Sequence, residues 1–200
     1  IKSQFQGAND LQNKLGRILV LSDSAHSFGA IMNGKRSGSL TDISSFSFHA
    51  VKNLTTAEGG ALCFNLPEGF NHEDIYREMC VKILHGQNKD ALAKTKKGNW
   101  KYDVEEPGFK CNMTDLQAAI GLVELDRYAE NLTRRKEIFH RYADAFKSND
   151  WAIEPPFETE NKTSSYHLYL LRINAISEAQ RDAIIQEIFE FDVSVNVHFQ

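Results

Sequence analysis

The period of the apolar positions changes several times along the chain. Asp10 to Gly16 reads as the end of a helix closed by glycine. Arg17 to Leu21 (Arg-Ile-Leu-Val-Leu) is a short apolar run bounded by polar residues, which predicts a strand buried on both faces with Asp23 at its C-terminal end. A glycine- and serine-rich loop follows from Ser27 to Leu40. Ile43 to Phe48 alternates, with Phe46 and Phe48 pointing one way and Ser45 and Ser47 the other, and predicts a second strand. Gly59-Gly60 leads into a third strand, Ala61 to Phe64, the glycines serving backbone geometry. Residues 71 to about 85 have the pattern of an amphipathic helix, and Gly86 to Pro107 is a polar, lysine-rich stretch without period, a long loop.

Thr114 and Gln117 form a capping box at the head of a helical run carrying Leu116, Ile120, Val123 and Leu125 and continuing towards Phe146. Unbroken, it would exceed about 40 Å at 1.5 Å per residue. A break is expected near Asn131, and with it a division into residues 1–130 and 131–200. Beyond it a strand (Tyr166 to Ile173), a helix (Ser177 to Phe191) and a last strand (Val193 to His198) suit a small α+β unit. The expected class is α/β: closely spaced strands flanked by helices, followed by that smaller part.

Composition narrows the function. A net charge of -4, with basic residues interleaved among acids as in Arg134-Arg135-Lys136-Glu137, gives no global attraction to nucleic acid or to an anionic membrane. No apolar run reaches the roughly 18 residues of a membrane span, and no signal peptide is visible. Cys63, Cys80 and Cys111 are odd in number and have no metal-site spacing, so reduced thiols in the cytoplasm and no metal are expected. The start at Ile1 and the end in the apolar run Val193 to Phe199 suggest a fragment.

Three segments carry the candidate chemistry: Asp23-Ser-Ala-His26, Ser45-Phe-Ser-Phe-His-Ala-Val-Lys52-Asn53, and Gly108-Phe-Lys-Cys-Asn112-Met-Thr-Asp-Leu-Gln-Ala-Ala. An aspartate ending a buried strand sits where α/β proteins bind ligands, outside the carboxyl ends of the strands. Alone it is a structural cap as often as a ligand. A lysine shortly after the next strand lies on the same rim or in solvent.

Together these segments resemble the DegT/DnrJ/EryC1/StrS family of sugar aminotransferases, a branch of the fold-type I pyridoxal-phosphate enzymes, from about Gly7 to Phe199. Ser-Phe-Ser-Phe-His-Ala-Val-Lys-Asn-Leu-Thr-Thr-Ala-Glu-Gly-Gly carries most of the likeness, and Met-Thr-Asp-Leu-Gln-Ala-Ala-Ile-Gly nearly as much. Phe-His-Ala-Val-Lys-Asn and Phe-Lys-Cys-Asn look most like the subgroup that makes UDP-4-amino-4-deoxy-L-arabinose. The resemblance implies part of the fold-type I large domain followed by part of a small α+β domain. It also implies pyridoxal 5'-phosphate as cofactor and Lys52 as the lysine that condenses with its aldehyde, since only lysine offers an amine on a long stem. By the same resemblance a buried Asp23 keeps the ring nitrogen protonated, His26 packs on the ring face, Ser47 donates to the phosphate, and His198 lies on the substrate side. Asn112 reaches the phosphate of the neighbouring subunit in a homodimer. The usual family form has Asn-Tyr-Arg where this chain has Lys110-Cys111-Asn112, which leaves Lys110 as the alternative.

The implied reaction moves an amino group from glutamate to a keto group on a nucleotide-linked sugar, for surface polysaccharide, lipopolysaccharide or amino-sugar synthesis. Family members are nearly twice this length, and the missing N-terminal segment supplies a helix N-terminus and hydroxyls to the phosphate. The rival from another class is therefore a catalytically inactive fragment or interaction module without stable cofactor. A nucleotide-binding α/β protein is a third reading, but the chain has no glycine-rich phosphate loop. Lysine at position 52 argues against related sugar dehydratases, which have histidine there.

Overall fold

The computed structural model describes residues 5–89, 94–95, 97–98 and 100–198. Its first part is a three-stranded sheet of β1 (Leu21–Asp23), β4 (Ile43–Ser47) and β5 (Gly60–Phe64), in the order β1-β4-β5. β1 and β4 are parallel, with Leu21 opposite Ile43 and Asp23 opposite Ser45, so both strands deliver their C-terminal ends to the same edge. β5 runs back antiparallel along the whole of β4. The glycine pair at its start is steric: a Cβ on Gly60 would lie 2.6 Å from the Phe46 carbonyl oxygen and one on Gly59 2.3 Å from Thr56 Oγ1.

Aromatic packing fills the space beneath. Phe28 meets Phe46, Phe48 and Tyr128 edge-on at ring separations of 5.4, 5.7 and 5.0 Å, the geometry favoured by the ring quadrupole. A second cluster forms around the buried Phe139, with Phe157, Tyr166 and Tyr169. The predicted loop 27–40 contains two short strands, β2 (Ile31–Met32) and β3 (Lys35–Arg36), and a 3-10 turn, Ser37–Ser39. With β7 (Glu158–Thr159) and β8 (Lys162–Thr163) they form a sheet ordered β3-β2-β8-β7. This sheet takes two strands from either side of residue 130, so the two parts of the chain are stitched together there.

The helices follow their caps. α1 (Asp10–Leu15) ends on Gly16 in the left-handed conformation (φ 67°). α2 (His72–Ile83) starts at Asn71, whose side chain accepts from the Glu73 and Asp74 backbone N–H groups. α3 (Asp115–Asp126) opens on the Thr114–Gln117 capping box in both directions. The long helical run breaks at Arg127, four residues before the expected place, and resumes as α4 (Tyr128–Phe146). Arg127 joins the two helices with φ -86° and ψ -5°, still in the right-handed helical region, and Tyr128 beside it is anchored by its hydroxyl to the Phe28 carbonyl. β6 (Ala152–Ile153) pairs with β9 (Arg172–Ile173), and α5 (Glu178–Phe189) has its own capping box, Ser177 with Gln180.

Four expectations change. The strand read over Arg17 to Leu21 begins only at Leu21, and Ile18 and Leu21 are 71% and 58% exposed rather than buried on two faces. β1 pairs with β4 alone, and its apolar side chains meet solvent. The strand read over Tyr166 to Ile173 is reduced to β9, and residues 193–198 form no strand, because no described segment lies alongside to complete a ladder. The long loop after α2 has a closed stem instead of being irregular throughout. Leu84 bridges Lys110 and Gln87 bridges Val104, and Lys82 holds Glu106 at 2.8 Å. Gly86 is required at the crossing: its φ is 73° and a Cβ would lie 1.7 Å from the Glu106 carbonyl oxygen. Among the described residues no helix is long and apolar enough to cross a membrane.

One ion pair sets the entry to β1. Arg17 donates to both Asp42 carboxylate oxygens at 2.5 Å, and the Val20 N–H donates to the same carboxylate at 2.8 Å. The bond from Arg17 holds the Asp42 carboxyl below its ordinary range, with the Val20 N–H adding to it. A depressed carboxylate stabilises the fold above its unfolded value, near 3.9, and ceases to do so as pH falls through the folded one. Asp42→Asn is therefore expected to lower the thermal unfolding midpoint at pH 7, with the gap to wild type closing below about pH 4. A gap that persists unchanged at low pH would show that the charge is not what matters at this position.

Candidate active site

The ends of β1 and β4 carry two short turns, and between them the chain gathers its chemistry. After β1, the Ser24 N–H continues the ladder to the Ser45 carbonyl at 2.8 Å. Asp23 Oδ1 then accepts the Ala25 N–H at 3.1 Å, a side-chain turn that directs the following residues across the strand ends. Ser27 closes the turn on the Ser24 carbonyl through both its N–H and its hydroxyl. His26 sits inside it. After β4, the Lys52 N–H bonds the His49 carbonyl at 2.9 Å and the Thr56 N–H bonds the Phe48 carbonyl at 2.9 Å. Lys52 is half-buried in that loop, and Asn53 and Leu54 behind it are buried.

The electrostatics register which groups face one another. His26 is held below the ordinary histidine value, first by burial, then by the charges of Lys52 and His198, with Asp23 opposing. The charges of Lys52, His198 and Asp23 thus all act on the His26 ring. The His26 and His198 rings are 5.3 Å apart. Ser47, the last residue of β4, is half-buried, and its hydroxyl accepts the His49 N–H at 3.3 Å. Asp23 departs from expectation: it is exposed where a buried carboxylate is expected. It lies at the sheet edge on β1, and no described residue covers it there.

Asn112 is placed differently. Its segment is fixed to the end of α2, with the His85 N–H on the Phe109 carbonyl at 2.8 Å and the Cys111 N–H on the Ile83 carbonyl at 3.0 Å. Its side-chain oxygen accepts from Lys110, and its amide nitrogen donates to the Met113 carbonyl at 3.4 Å. The two candidates for the phosphate contact are thus bonded to each other. Among the described contacts, none joins either of them to Lys52.

Sequence reasoning missed two residues. The His167 ring lies 4.5 Å from the ring of His26, and its Nδ1 is 2.9 Å from Asn53 Oδ1. Burial, then His26, Lys52, Arg135 and His198, push its protonation down to about 4. Asn53 stands next to Lys52 in the quoted motif, yet a single asparagine carries no sign of its partner. His167 lies in an aromatic run, Tyr166-His-Leu-Tyr169, that reads only as strand. Two open concavities of about 570 and 540 Å³ lie elsewhere, on the outer face of α4 and beside α2, and contain none of these residues.

The arrangement offers an amine, a carboxylate, a hydroxyl and three imidazoles at the C-terminal rim of a parallel strand pair. Comparison with known proteins gives the context. Residues 3–200 match the model of the DegT/DnrJ/EryC1/StrS aminotransferase family. The chain is 35% identical to the Bacillus subtilis spore coat polysaccharide biosynthesis protein SpsC over 91% of its own length and 46% of that protein's. It is 31% identical to a Campylobacter jejuni UDP-4-amino-4,6-dideoxy-N-acetyl-beta-L-altrosamine transaminase, over 92% of this chain and 45% of that one. Among solved structures, a Streptococcus pneumoniae protein assigned as a sugar aminotransferase superposes in its PMP form with a TM-score of 0.91 at 44% identity, covering 100% of this chain and 50% of the other. The same protein in its PLP form superposes with a TM-score of 0.89 at 41% identity, covering 99% of this chain and 48% of the other. The chain spans about half the length of the curated relatives it matches.

Proposed function

We infer, for a chain that belongs to the DegT/DnrJ/EryC1/StrS aminotransferase family, that this protein transfers an amino group to a keto group of a nucleotide-linked sugar, with pyridoxal 5'-phosphate as cofactor and glutamate as donor. The observation that supports the reading is that parallel β1 and β4 end together, with Asp23 and His26 following one and Ser47 and Lys52 the other, and the His198 ring 5.3 Å from that of His26. The names of the Bacillus and Campylobacter relatives support polysaccharide or nucleotide-sugar synthesis as the setting. The absence of a membrane-crossing helix among the described residues and the free Cys63, Cys80 and Cys111 fit the cytoplasm. The division at residues 1–130 and 131–200 stands as a proposal for the sequence segments alone, since α4 (Tyr128–Phe146) runs through it and the β3-β2-β8-β7 sheet spans it.

The donor set suits this cofactor, which needs an amine for its aldehyde, a carboxylate for its ring nitrogen and donors for its phosphate. When bound, pyridoxal phosphate supplies the electron sink that makes the amino carbon acidic. The chain's own residues do the rest. Lys52 Nζ would attach the cofactor through its aldehyde and, when displaced by the incoming amine, would carry the proton between the amino carbon of the substrate and the aldehyde carbon of the cofactor. Asp23 would hold a proton at the ring nitrogen by Coulomb attraction, His26 would support the ring face, and Ser47 would donate to the phosphate. His198, beside His26, faces the sugar.

A second reading, a chain of the same fold without stable cofactor, has the exposure of Asp23 in its favour, since a carboxylate in water exerts a weak field. Borohydride reduction followed by peptide mapping separates the two. A pyridoxyl adduct on the peptide containing Lys52 is the expected result. An adduct on Lys35 or Lys110, or none at saturating cofactor, overturns the assignment.

A further inference from the structure

The turn that bears His26 and the loop that bears Lys52 are not joined to each other directly by any described hydrogen bond. Both are held by a third segment, Ser165-Tyr166-His167. The Ser165 hydroxyl donates to the His26 carbonyl at 2.5 Å. The Ser165 carbonyl accepts from the Asn53 side-chain amide at 2.6 Å. His167 completes the set with its 2.9 Å contact to Asn53 Oδ1. Asn53 and Ser165 are only 9% and 4% exposed, so these bonds are shielded from competing water.

Tyr166 explains how one segment reaches both. It is 2% exposed and has a φ of 51°, in the left-handed region that a bulky side chain rarely occupies. Its ring packs between Phe139 and Phe157, and its hydroxyl donates to Glu158. The unusual backbone is thus locked by packing on one side, while Ser165 and His167 engage the site.

The bonds also fix a tautomer. A carbonyl only accepts, so the nitrogen of the Asn53 amide must face Ser165 and its oxygen must face His167. That oxygen also only accepts, so His167 carries its proton on Nδ1 and leaves Nε2 bare. The groups facing the ring are His26, Lys52, Arg135 and His198, with Asp23 beyond His26. Burial first, and then the positive charge these groups carry, oppose a second proton on His167.

We propose that His167, as a neutral imidazole protonated on Nδ1, is a positioning residue that fixes Lys52 through Asn53, and that with Ser165 it sets the spacing between the Lys52 loop and the His26 turn. This role presupposes Lys52 as the cofactor lysine. It predicts that what matters at position 167 is a donor at the Nδ1 place, not an imidazole. Asparagine puts its amide nitrogen the same number of bonds from the backbone; glutamine puts it one further; leucine has none.

The test uses the protein at its encoded length, loaded with pyridoxal phosphate, and follows the bound chromophore's absorbance against pH together with kcat and KM for the sugar. His167→Leu and His167→Gln are expected to move the absorbance midpoint by about one pH unit and to lower kcat by about 10- to 100-fold with little change in KM, as displacement of a reacting group does. His167→Asn is expected to restore both to within about threefold. Ser165→Ala, a smaller change that spares the fold, is expected to shift the midpoint in the same direction by less. If asparagine behaves as leucine does, or if Leu, Gln and Ser165→Ala all leave the midpoint and kcat where they were, the proposal is overturned. Failure of the underlying Lys52 assignment would appear separately, as an adduct elsewhere in the wild-type protein.

Discussion

Lys52→Ala should cut amino transfer by about 10⁴-fold, since in its proposed role Lys52 supplies both the covalent attachment of the cofactor and the group that carries the proton. Lys52→Arg should do no better. A guanidinium keeps its proton throughout the working range and cannot act as the nucleophile. The readout is the rate at which an amino donor converts bound cofactor, measured in a single turnover so that product release does not mask the step. The fold should tolerate both changes. Lys52 is only half-buried, and the loop that carries it is closed by backbone bonds from Lys52, Thr56 and Phe48. Unfolding midpoints should therefore stay near the wild-type value while the rate collapses. A Lys52→Ala protein that keeps a tenth of the wild-type rate would show that another amine does the work.

Much of the region around Lys52 is legible in the sequence because it is local. Asp23 ends a strand, Ser47 ends the next, and parallel register brings both to one edge. The alternation Ser45-Phe46-Ser47-Phe48 announces which side packs on Phe28. The capping box at Thr114 and the glycine after Leu15 mark helix ends through bonds spanning three or four residues. What escapes is what depends on distant partners. An asparagine after the lysine and a histidine 114 positions later share a bond that no spacing reveals. The exposure of Asp23 and of Leu21 is equally hidden, because an apolar run predicts that something covers it and cannot say what. The strand read over Val193 to His198 fails for the same reason: alternation supplies a suitable chain, but a ladder needs a neighbour.

Mixing two inactive proteins should restore activity if the phosphate site is shared between subunits. Asn112 has no described contact with Lys52, yet its segment is fixed by the end of α2 and its side chain is aligned by Lys110. A polar group held this firmly and outside its own cluster is suited to serve a neighbouring chain. The next element supports the same reading. α3 starts three residues after Asn112 and shows solvent a run of apolar side chains, with Leu116 and Leu122 81% and 68% exposed, the kind of surface that marks an interface. In an isologous dimer, Asn112 of each subunit would complete the other's site. Lys52→Ala and Asn112→Ala homodimers then carry two damaged sites each. A heterodimer gathers both defects in one site and leaves the other intact. With random exchange half of the dimers are mixed, so recovery to about a quarter of the wild-type rate is expected. If Asn112 serves its own subunit, every site in the mixture keeps one defect and nothing returns. No recovery, with exchange demonstrated by differently tagged chains, would end the shared-site model. Running Lys110→Ala in place of Asn112→Ala then decides which of the two bonded side chains reaches across.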